Sequence, residues 1–386
     1  MNIKKIAEKF KSHFESDCLI VRSPGRVNII GEHTDYNEGF VLPAAIDKAA
    51  YVAIAKRQDN KVCLYAAAFD QSFETTLSNL TTSKLDWPNY ILGVIDQIQK
   101  AGVQLSGFDL LIDGDIPIGA GLSSSAALEC AALFAITELF GLQFSKMQMA
   151  LMAQKAEHDF AGVNCGLMDM FASLFGKQGH AIKLDCRSLE YEYVPIDLKG
   201  YKLLLLNTNV KHTLSSSEYN NRRIECEQGV NWVKENIPTV NSLRDITLDM
   251  LDEHVLPMDN IVYNRCRYVV EENIRLTQAC SDLANNNVVA MGEKMFETHK
   301  GLKDLYEVSC AELDFLVDQV KGHPAVLGAR MMGGGFGGCT INIVKETEIE
   351  NLVASIMPIY EKQMQRPLSY YVASIEDGTR VVFKNN

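Results

Sequence analysis

Two short stretches of this chain combine residue types that could bind a phosphate group and a polar ligand. The first, residues 114–127, contains glycines, then Ser123, Ser124 and Ser125, then a helix-forming run. That order would place unpaired backbone N–H groups where an anion could bind. The second, residues 25–37, holds an arginine, two carboxylates and a histidine beside turn-forming Gly and Asn. Because burying such groups unpaired costs several kcal/mol, this dense polar cluster indicates a functional site.

The serines of the first stretch have two interpretations. A Walker-type loop would require G-x-x-x-x-G-K-[ST], and no lysine follows Gly119 and Gly121. Serine is a favoured N-cap residue, so the three serines could simply cap a helix. A cap needs only one serine, however, and glycines before it allow backbone N–H groups to approach a ligand closely. Composition alone leaves both interpretations open.

A second glycine cluster, residues 333–338, formally matches G-x-G-x-x-G. A dinucleotide fingerprint requires a strand before it and a helix after it. Here an alternating, strand-like segment follows at residues 339–344. The cluster is therefore better interpreted as a loop whose backbone packs closely against another loop or a ligand.

Composition excludes several classes of function. The chain has 386 residues and a net charge of −12, with none of the basic excess that nucleic-acid-binding proteins usually show. Hydrophobic residues make up 47%, yet no apolar run is long enough to span a membrane. None of the ten cysteines forms a C-x-x-C pair, which favours free thiols in a reducing compartment. We expect a cytoplasmic protein of two domains.

Helices and strands are mixed along the whole chain, which predicts an α+β fold. The patterns predict helices over 2–14, 90–99, 126–140, 146–160, 217–236 and most of 260–318. They predict strands over 18–21, 51–55, 62–66, 108–112, 201–206 and 339–344.

These stretches together resemble a known family. Residues 117–126, Pro-Ile-Gly-Ala-Gly-Leu-Ser-Ser-Ser-Ala, are similar to the ATP loop of the GHMP small-molecule kinases, and residues 333–338 look like their third motif. Residues 25–37 resemble the signature of the galactokinases within that family, and residues 164–169 and 217–220 also fit it. The motifs follow the family order over almost the whole chain.

The resemblance implies a two-domain GHMP kinase fold with the active site in the cleft between the domains. Residues 1–180 would form an N-terminal domain resembling the ribosomal protein S5 domain 2-like fold, and residues 181–386 a ferredoxin-like α/β domain. It implies transfer of the γ-phosphoryl group of ATP to the C1 hydroxyl of α-D-galactose, the first committed step of galactose use by the Leloir pathway, with Mg²⁺ required. The partners are then galactose and ATP, and the protein is a monomer or a weak homodimer.

Residue roles also follow from the resemblance. Asp169 would be the catalytic base, and Arg26 would pair with it and stabilise charge on the transferred group. Ser125 and Glu157 would bind Mg²⁺, which prefers hard oxygen ligands. The sugar ligands would be Glu32, His33, Thr34, Asp35, Gly166 and Tyr219, and the ATP phosphates would lie against Gly119, Ala120, Gly121, Leu122, Ser123, Ser124 and Ser125.

Other activities stay open at this point. A related kinase could act on N-acetylgalactosamine, and a galactose-sensing regulator could use the same fold without catalysis. Such regulators carry a damaged ATP loop, whereas residues 123–127 and Asp169 are intact here. Homoserine and mevalonate kinases would share the ATP loop but not Glu32-His33-Thr34-Asp35.

Overall fold

The structure, a computed structural model, describes residues 1–117, 119–163, 165–210 and 215–384, without the side chains of 215–217. Ile118, Asn164 and the Ser217 side chain, which belong to three of the predicted motifs, lie outside the described residues. The helices are α1 Ile3–Phe14, α2 Asp86–Lys100, α3 Ser124–Phe140, α4 Lys146–Ala156, α5 Met168–Phe175, α6 Ser215–Asn236, α7 Leu248–His254, α8 Asn260–Ala284, α9 Val288–Asp304, α10 Ala311–Val320 and α11 Ile349–Met364. The strands are β1 Leu19–Asn28, β2 Phe40–Val41, β3 Pro43–Lys56, β4 Lys61–Ala66, β5 Gln71–Thr76, β6 Phe108–Gly114, β7 His180–Asp185, β8 Tyr191–Pro195, β9 Tyr201–Asn207, β10 Val326–Met331, β11 Cys339–Lys345, β12 Ser369–Ala373 and β13 Arg380–Lys384.

The strands pair into three sheets. A six-stranded sheet has the order β13-β1-β3-β6-β4-β5, with β4 and β6 parallel and the other neighbours antiparallel. An antiparallel four-stranded sheet has the order β10-β11-β9-β12, and β2, β7 and β8 form a small third sheet. The fold is thus α+β, as predicted.

Strand β1 carries the first functional side chain. All ten of its residues are buried, because it lies between β3 and β13 and is covered by helices. Its pairing with β3 shifts register between Pro24 and Arg26, and such bulges re-aim side chains. A Cβ on Gly25 would lie 2.6 Å from the Leu122 carbonyl, so this glycine allows the loop before α3 to pack against the strand.

Helix α3 is apolar almost all round and packs beneath β1 and β3. It ends where predicted, at Gly141 with φ +68°. Because the helix is held in the core, its N-terminus and the unpaired backbone N–H groups there have a fixed position.

The two halves of the chain are not separate in space. One core cluster contains Val27 and Ile29 of the first half together with Leu203 and Ile341 of the second. Strand β13 pairs with β1 in the first sheet, although its residues were assigned to the second domain. The boundary at 180/181 remains a prediction for the rest of the chain.

Most predicted elements are present, with longer bounds. The helix expected over 146–160 is regular only to Ala156 and continues as a π-helical turn, Glu157–Ala161, before Gly162. Helices α5, α7 and α11 and strands β2, β5, β7, β8, β10, β12 and β13 were not predicted. Within the described part of the chain, we find no helix with the length and apolarity that crossing a membrane requires.

Candidate active site

Arg26 of β1 and Asp169 of α5 form a two-point ion pair. Arg26 Nε lies 2.7 Å from Asp169 Oδ1, and Nη2 lies 3.0 Å from Oδ2. Burial disfavours the arginine's charge, but Asp169 more than compensates and raises the pKa of Arg26. Asp169 lies in the first turn of α5, where the helix dipole favours a carboxylate. The pair predicted from the sequence is confirmed as a contact.

The loop before α3 adopts a conformation that requires its glycines. Gly119 and Gly121 have φ of +77° and +71°, in the left-handed region that favours glycine. The first backbone bond of α3 joins the Ala127 N–H to the Ser123 carbonyl, so the preceding N–H groups point out of the helix end. Arg26 Nη1 donates to the Gly121 carbonyl at 2.8 Å, which ties this loop to the ion pair.

Ser123 occupies the N-cap position without capping the helix. Its backbone is left-handed, at φ 57° and ψ 51°, and its side chain makes no cap hydrogen bond. The hydroxyl instead donates to Asp169 Oδ2 at 2.5 Å. Capping, one of the two interpretations of the serines, therefore does not apply to Ser123, whose left-handed backbone differs from the extended conformation typical of an N-cap.

A cavity of about 430 Å³ opens beside this pair. It is lined by five of the six predicted sugar ligands, Glu32, His33, Asp35, Gly166 and Tyr219, together with Arg26, Asp169 and the backbone of Gly333 and Gly334. The first and last thirds of the chain thus meet at one polar chamber, and Asn220 of α6 was not predicted there.

Gly166 lies against the carboxylate of Asp35. A Cβ at this position would be 2.4 Å from Asp35 Oδ2, so only glycine fits without moving the carboxylate. Burial, Asp169 and Glu32 raise the pKa of Asp35 to about 6, while backbone N–H groups oppose the shift. This carboxyl is consequently poised to change charge in mildly acidic solution.

His33 is the end of a chain of hydrogen bonds. Its Nδ1 lies 2.8 Å from the Tyr36 hydroxyl, which lies 2.7 Å from the Tyr306 hydroxyl. Burial lowers the pKa of His33 to about 4, so the ring is neutral at neutral pH. The Tyr219 ring lies 5.4 Å from the His33 ring, and burial raises the pKa of its phenol.

Glu32 and Thr34 differ in what they offer the cavity. Glu32 lines it, and its Oε1 accepts hydrogen bonds from buried Arg330 and from the Gly333 N–H. Thr34 is fully buried, and its hydroxyl donates to the carbonyls of Gly31 and Phe40. Thr34 is thus not among the residues that line the cavity, and its side chain stabilises the loop that carries Glu32 and His33. Arg330 was missed, since nothing local in the sequence pairs it with Glu32.

Glu157 begins the π-helical turn after α4 and lies next to Ser125 at the start of α3. It is buried, which raises the pKa of its carboxyl, and hydrogen bonds from Cys165 and Ser125 oppose that shift. The Cys165 thiol lies 3.1 Å from Oε2. A hydroxyl and a carboxylate at one point provide the hard oxygen donors that suit Mg²⁺, so the residues present fit this cation.

A second, more apolar cavity of about 390 Å³ adjoins the start of α3. It is lined by Ser124 and Ser125 together with Phe69, Trp87, Tyr90, Ile112 and Leu128. Flat aromatic and aliphatic walls next to a phosphate loop suit a planar heterocycle. The sequence patterns did not single out this cavity, although a tryptophan before Pro88 in α2 was a local signal.

Known proteins with this arrangement identify the family. Three family models match: the galactokinase galactose-binding signature over residues 8–56, the GHMP kinase N-terminal domain over 89–177 and the GHMP kinase C-terminal domain over 279–360. Galactokinase from Thermosipho africanus is 43% identical over 358 residues, which is 93% of this chain and 98% of that protein. Galactokinase from Clostridium acetobutylicum is 41% identical, covering 98% of each chain. This chain belongs to the galactokinase family.

Solved structures agree with that assignment. The crystal structure of Lactococcus lactis galactokinase complexed with galactose matches with a TM-score of 0.92 at 36% identity, covering 98% of this chain and 99% of that one. Methanococcus jannaschii mevalonate kinase has a TM-score of 0.68 at 17% identity, over 94% of this chain and 99% of that one, which shows the shared GHMP fold alone. The predicted family and fold class are confirmed.

Proposed function

We propose that this protein transfers the γ-phosphoryl group of ATP to the C1 hydroxyl of α-D-galactose, giving α-D-galactose 1-phosphate and ADP. The observation that carries the proposal is the position of the Arg26–Asp169 pair. It lies between the N-terminus of α3, which suits phosphates, and a chamber of sugar-binding residue types.

The two ends of the cleft have complementary chemistry. Backbone N–H groups of residues 119–125 would hold the ATP phosphates, and the apolar cavity at Trp87 and Tyr90 would hold the base. Glu32, His33, Asp35, Gly166 and Tyr219 would bind the sugar hydroxyls, whose fixed directions suit charged hydrogen bonds. Phosphoryl transfer needs mainly such positioning and charge stabilisation.

Asp169 would act on the reacting hydroxyl. Arg26 holds the Asp169 carboxylate through two hydrogen bonds. The carboxylate would accept a hydrogen bond from the C1 hydroxyl and take its proton as the new P–O bond forms and the bond between the γ-phosphorus and ADP breaks. The Arg26 charge also stabilises negative charge on the phosphoryl group in transit. Ser123 occupies Asp169 Oδ2 in the structure and would give way or share that oxygen when galactose binds.

Ser125 and Glu157 would hold Mg²⁺, which supplies neutralisation of the phosphate charge when bound. The support is the chemistry of their donors and the burial of Glu157. We also propose that the protein works in the reducing cytoplasm as a monomer or weak homodimer. All ten cysteines are free, which supports the compartment, and sedimentation at several concentrations would test the oligomeric state.

The test is an ADP-release assay with galactose, N-acetylgalactosamine, glucose and mevalonate. We expect turnover with galactose and near-complete loss in Asp169→Ala. Asp109→Ala is a matched control, because Asp109 is also buried and paired with an arginine, Arg57 at 2.9 Å, but does not line the cavity. Galactose binding without turnover would instead support a sensor, and turnover surviving in Asp169→Ala would refute the assigned base.

A further inference from the structure

Arg330 is a fully buried arginine that joins three parts of the chain. It lies in β10 and is 0% exposed. It donates to the carbonyls of Asn28 at 2.5 Å, Ile29 at 2.9 Å and Met331 at 2.5 Å. Its Nη2 also donates to Glu32 Oε1 at 3.0 Å. One side chain therefore fixes the end of β1, the loop that carries Glu32 and the start of the 333–338 glycine loop.

The two oxygens of the Glu32 carboxylate have different surroundings. Oε1 accepts from Arg330 and from the Gly333 N–H at 2.9 Å. Both of these hydrogen bonds fall on the same oxygen, which leaves Oε2 as the atom available to a ligand in the cavity that Glu32 lines. The carboxylate is thereby held at one angle relative to the cavity.

Arg22 is another buried arginine, and its hydrogen bonds go to backbone carbonyls and to the Tyr51 hydroxyl. Arg22 is 6% exposed and donates to the carbonyls of Ile46, Asp47 and Asp377. Arg330 has a similar set of carbonyls and, in addition, a carboxylate that lines the cavity. Through its hydrogen bond to Glu32, the Arg330 charge acts on a carboxylate that lines the cavity.

We propose that Arg330 is a positioning residue for sugar recognition. It orients Glu32 Oε2 toward one sugar hydroxyl and, through Oε1, couples this carboxylate to the 333–338 glycine loop. The inference rests on the proposed function for the identity of the sugar. It assigns Arg330 no contact with the substrate and no part in the chemical step.

The test measures Arg330→Lys with galactose and with the 2-, 3-, 4- and 6-deoxygalactoses. Lysine keeps the charge but cannot reproduce the planar fork of donors. Because ground-state and transition-state binding weaken equally, we expect the KM for galactose to rise about 10- to 100-fold, while kcat stays within about threefold. The KM for ATP should change by less than about twofold.

The deoxygalactoses separate positioning from a general structural role. Glu32→Gln identifies the hydroxyl that Glu32 binds, because the analogue lacking it suffers no further loss in that variant. Arg330→Lys should leave the KM for the same analogue unchanged. The KM for galactose of the Glu32→Gln/Arg330→Lys double variant should be no higher than the larger of the two single-variant values. A uniform penalty across all analogues, or additive losses, would overturn the proposal.

Arg22→Lys is the matched control, since it alters another buried arginine, in β1, that does not line the cavity. It should lower thermal stability without changing the ratio of galactose to deoxygalactose turnover. Absence of galactose turnover in the wild-type protein would refute the proposed function instead. In that case, calorimetry gives the dissociation constants of galactose and the deoxygalactoses. An equal loss of affinity for all of them in Arg330→Lys would still overturn the role of Arg330.

A second measurement covers the case in which Arg330→Lys does not fold. Hydrogen exchange of Glu32→Ala should show faster exchange in a peptide spanning residues 330–338, because the Gly333 N–H loses its acceptor. A peptide covering β4 and β5 serves as the internal reference. Unchanged exchange over 330–338 would overturn the coupling between Glu32 and the glycine loop.

Discussion

Replacing Arg26 with glutamine should remove most of the catalytic rate and little of the fold. The substitution deletes the hydrogen bonds of 2.7 and 3.0 Å to Asp169 and the bond of 2.8 Å to the Gly121 carbonyl. Removing one preorganised donor that stabilises charge in the transition state lowers kcat by about 10²- to 10³-fold. We therefore expect kcat of Arg26→Gln to fall by at least about 100-fold.

The assay is steady-state ADP release with galactose and ATP varied separately. Because Arg26 also holds the Gly121 carbonyl, the KM for ATP should rise together with the fall in kcat. Arg57→Gln is the control, as Arg57 pairs with Asp109 and Asp59 away from the cleft, and kcat there should stay within about twofold. A fall in kcat of less than about tenfold in a folded Arg26→Gln protein would refute the transition-state role of this arginine.

Three further perturbations test individual contacts. Gly166→Ala should raise the KM for galactose by about tenfold or more with little change in the KM for ATP, because its Cβ would overlap the Asp35 carboxylate, and an unchanged KM would contradict that contact. Since the folded-state pKa of Asp35 is raised to about 6 from 3.8, its contribution to the free energy of unfolding is present below about pH 4 and is lost as pH rises through 6, by at most about 3 kcal/mol. Denaturant unfolding at pH 4 and pH 7 should show a smaller decrease in the free energy of unfolding for Asp35→Asn than for the wild type. An equal decrease in both proteins would argue against the raised pKa of Asp35. Glu157→Gln should weaken Mn²⁺ binding, followed by electron paramagnetic resonance in the presence of a non-hydrolysable ATP analogue, by about tenfold or more, and unaltered affinity would remove Glu157 from the metal site.

Local sequence patterns were sufficient to predict elements whose structure depends on a single segment of the chain. The helix over residues 124–140 is apolar along its length and stops at a glycine, so its place in the core and its end were predictable. The glycines before it have left-handed backbone conformations that few other residues adopt, and they were recognised from their spacing. Strands β12 and β13 were missed because they are short and gain their stability from partners distant in the sequence.

The candidate site likewise has features that the sequence shows and contacts that only the fold creates. The sequence by itself determined which residue types are present, and the resemblance carried by its motifs assigned roles to Arg26, Asp169 and Glu32. The tertiary structure decided what those side chains touch. Arg26 meets a carboxylate 143 positions away, and Glu32 meets Arg330 at a separation of 298.

The physical reason is that an ion pair or a shared carboxylate exists only after distant segments have packed and excluded water. Ser123 shows this most directly, because a serine at a helix start could cap the helix, yet its hydroxyl binds Asp169. Thr34 shows the converse, since a residue within a binding motif is buried behind the loop. Spacing along the chain identifies the segments of a site, and the direction of each side chain is set by the packing around it.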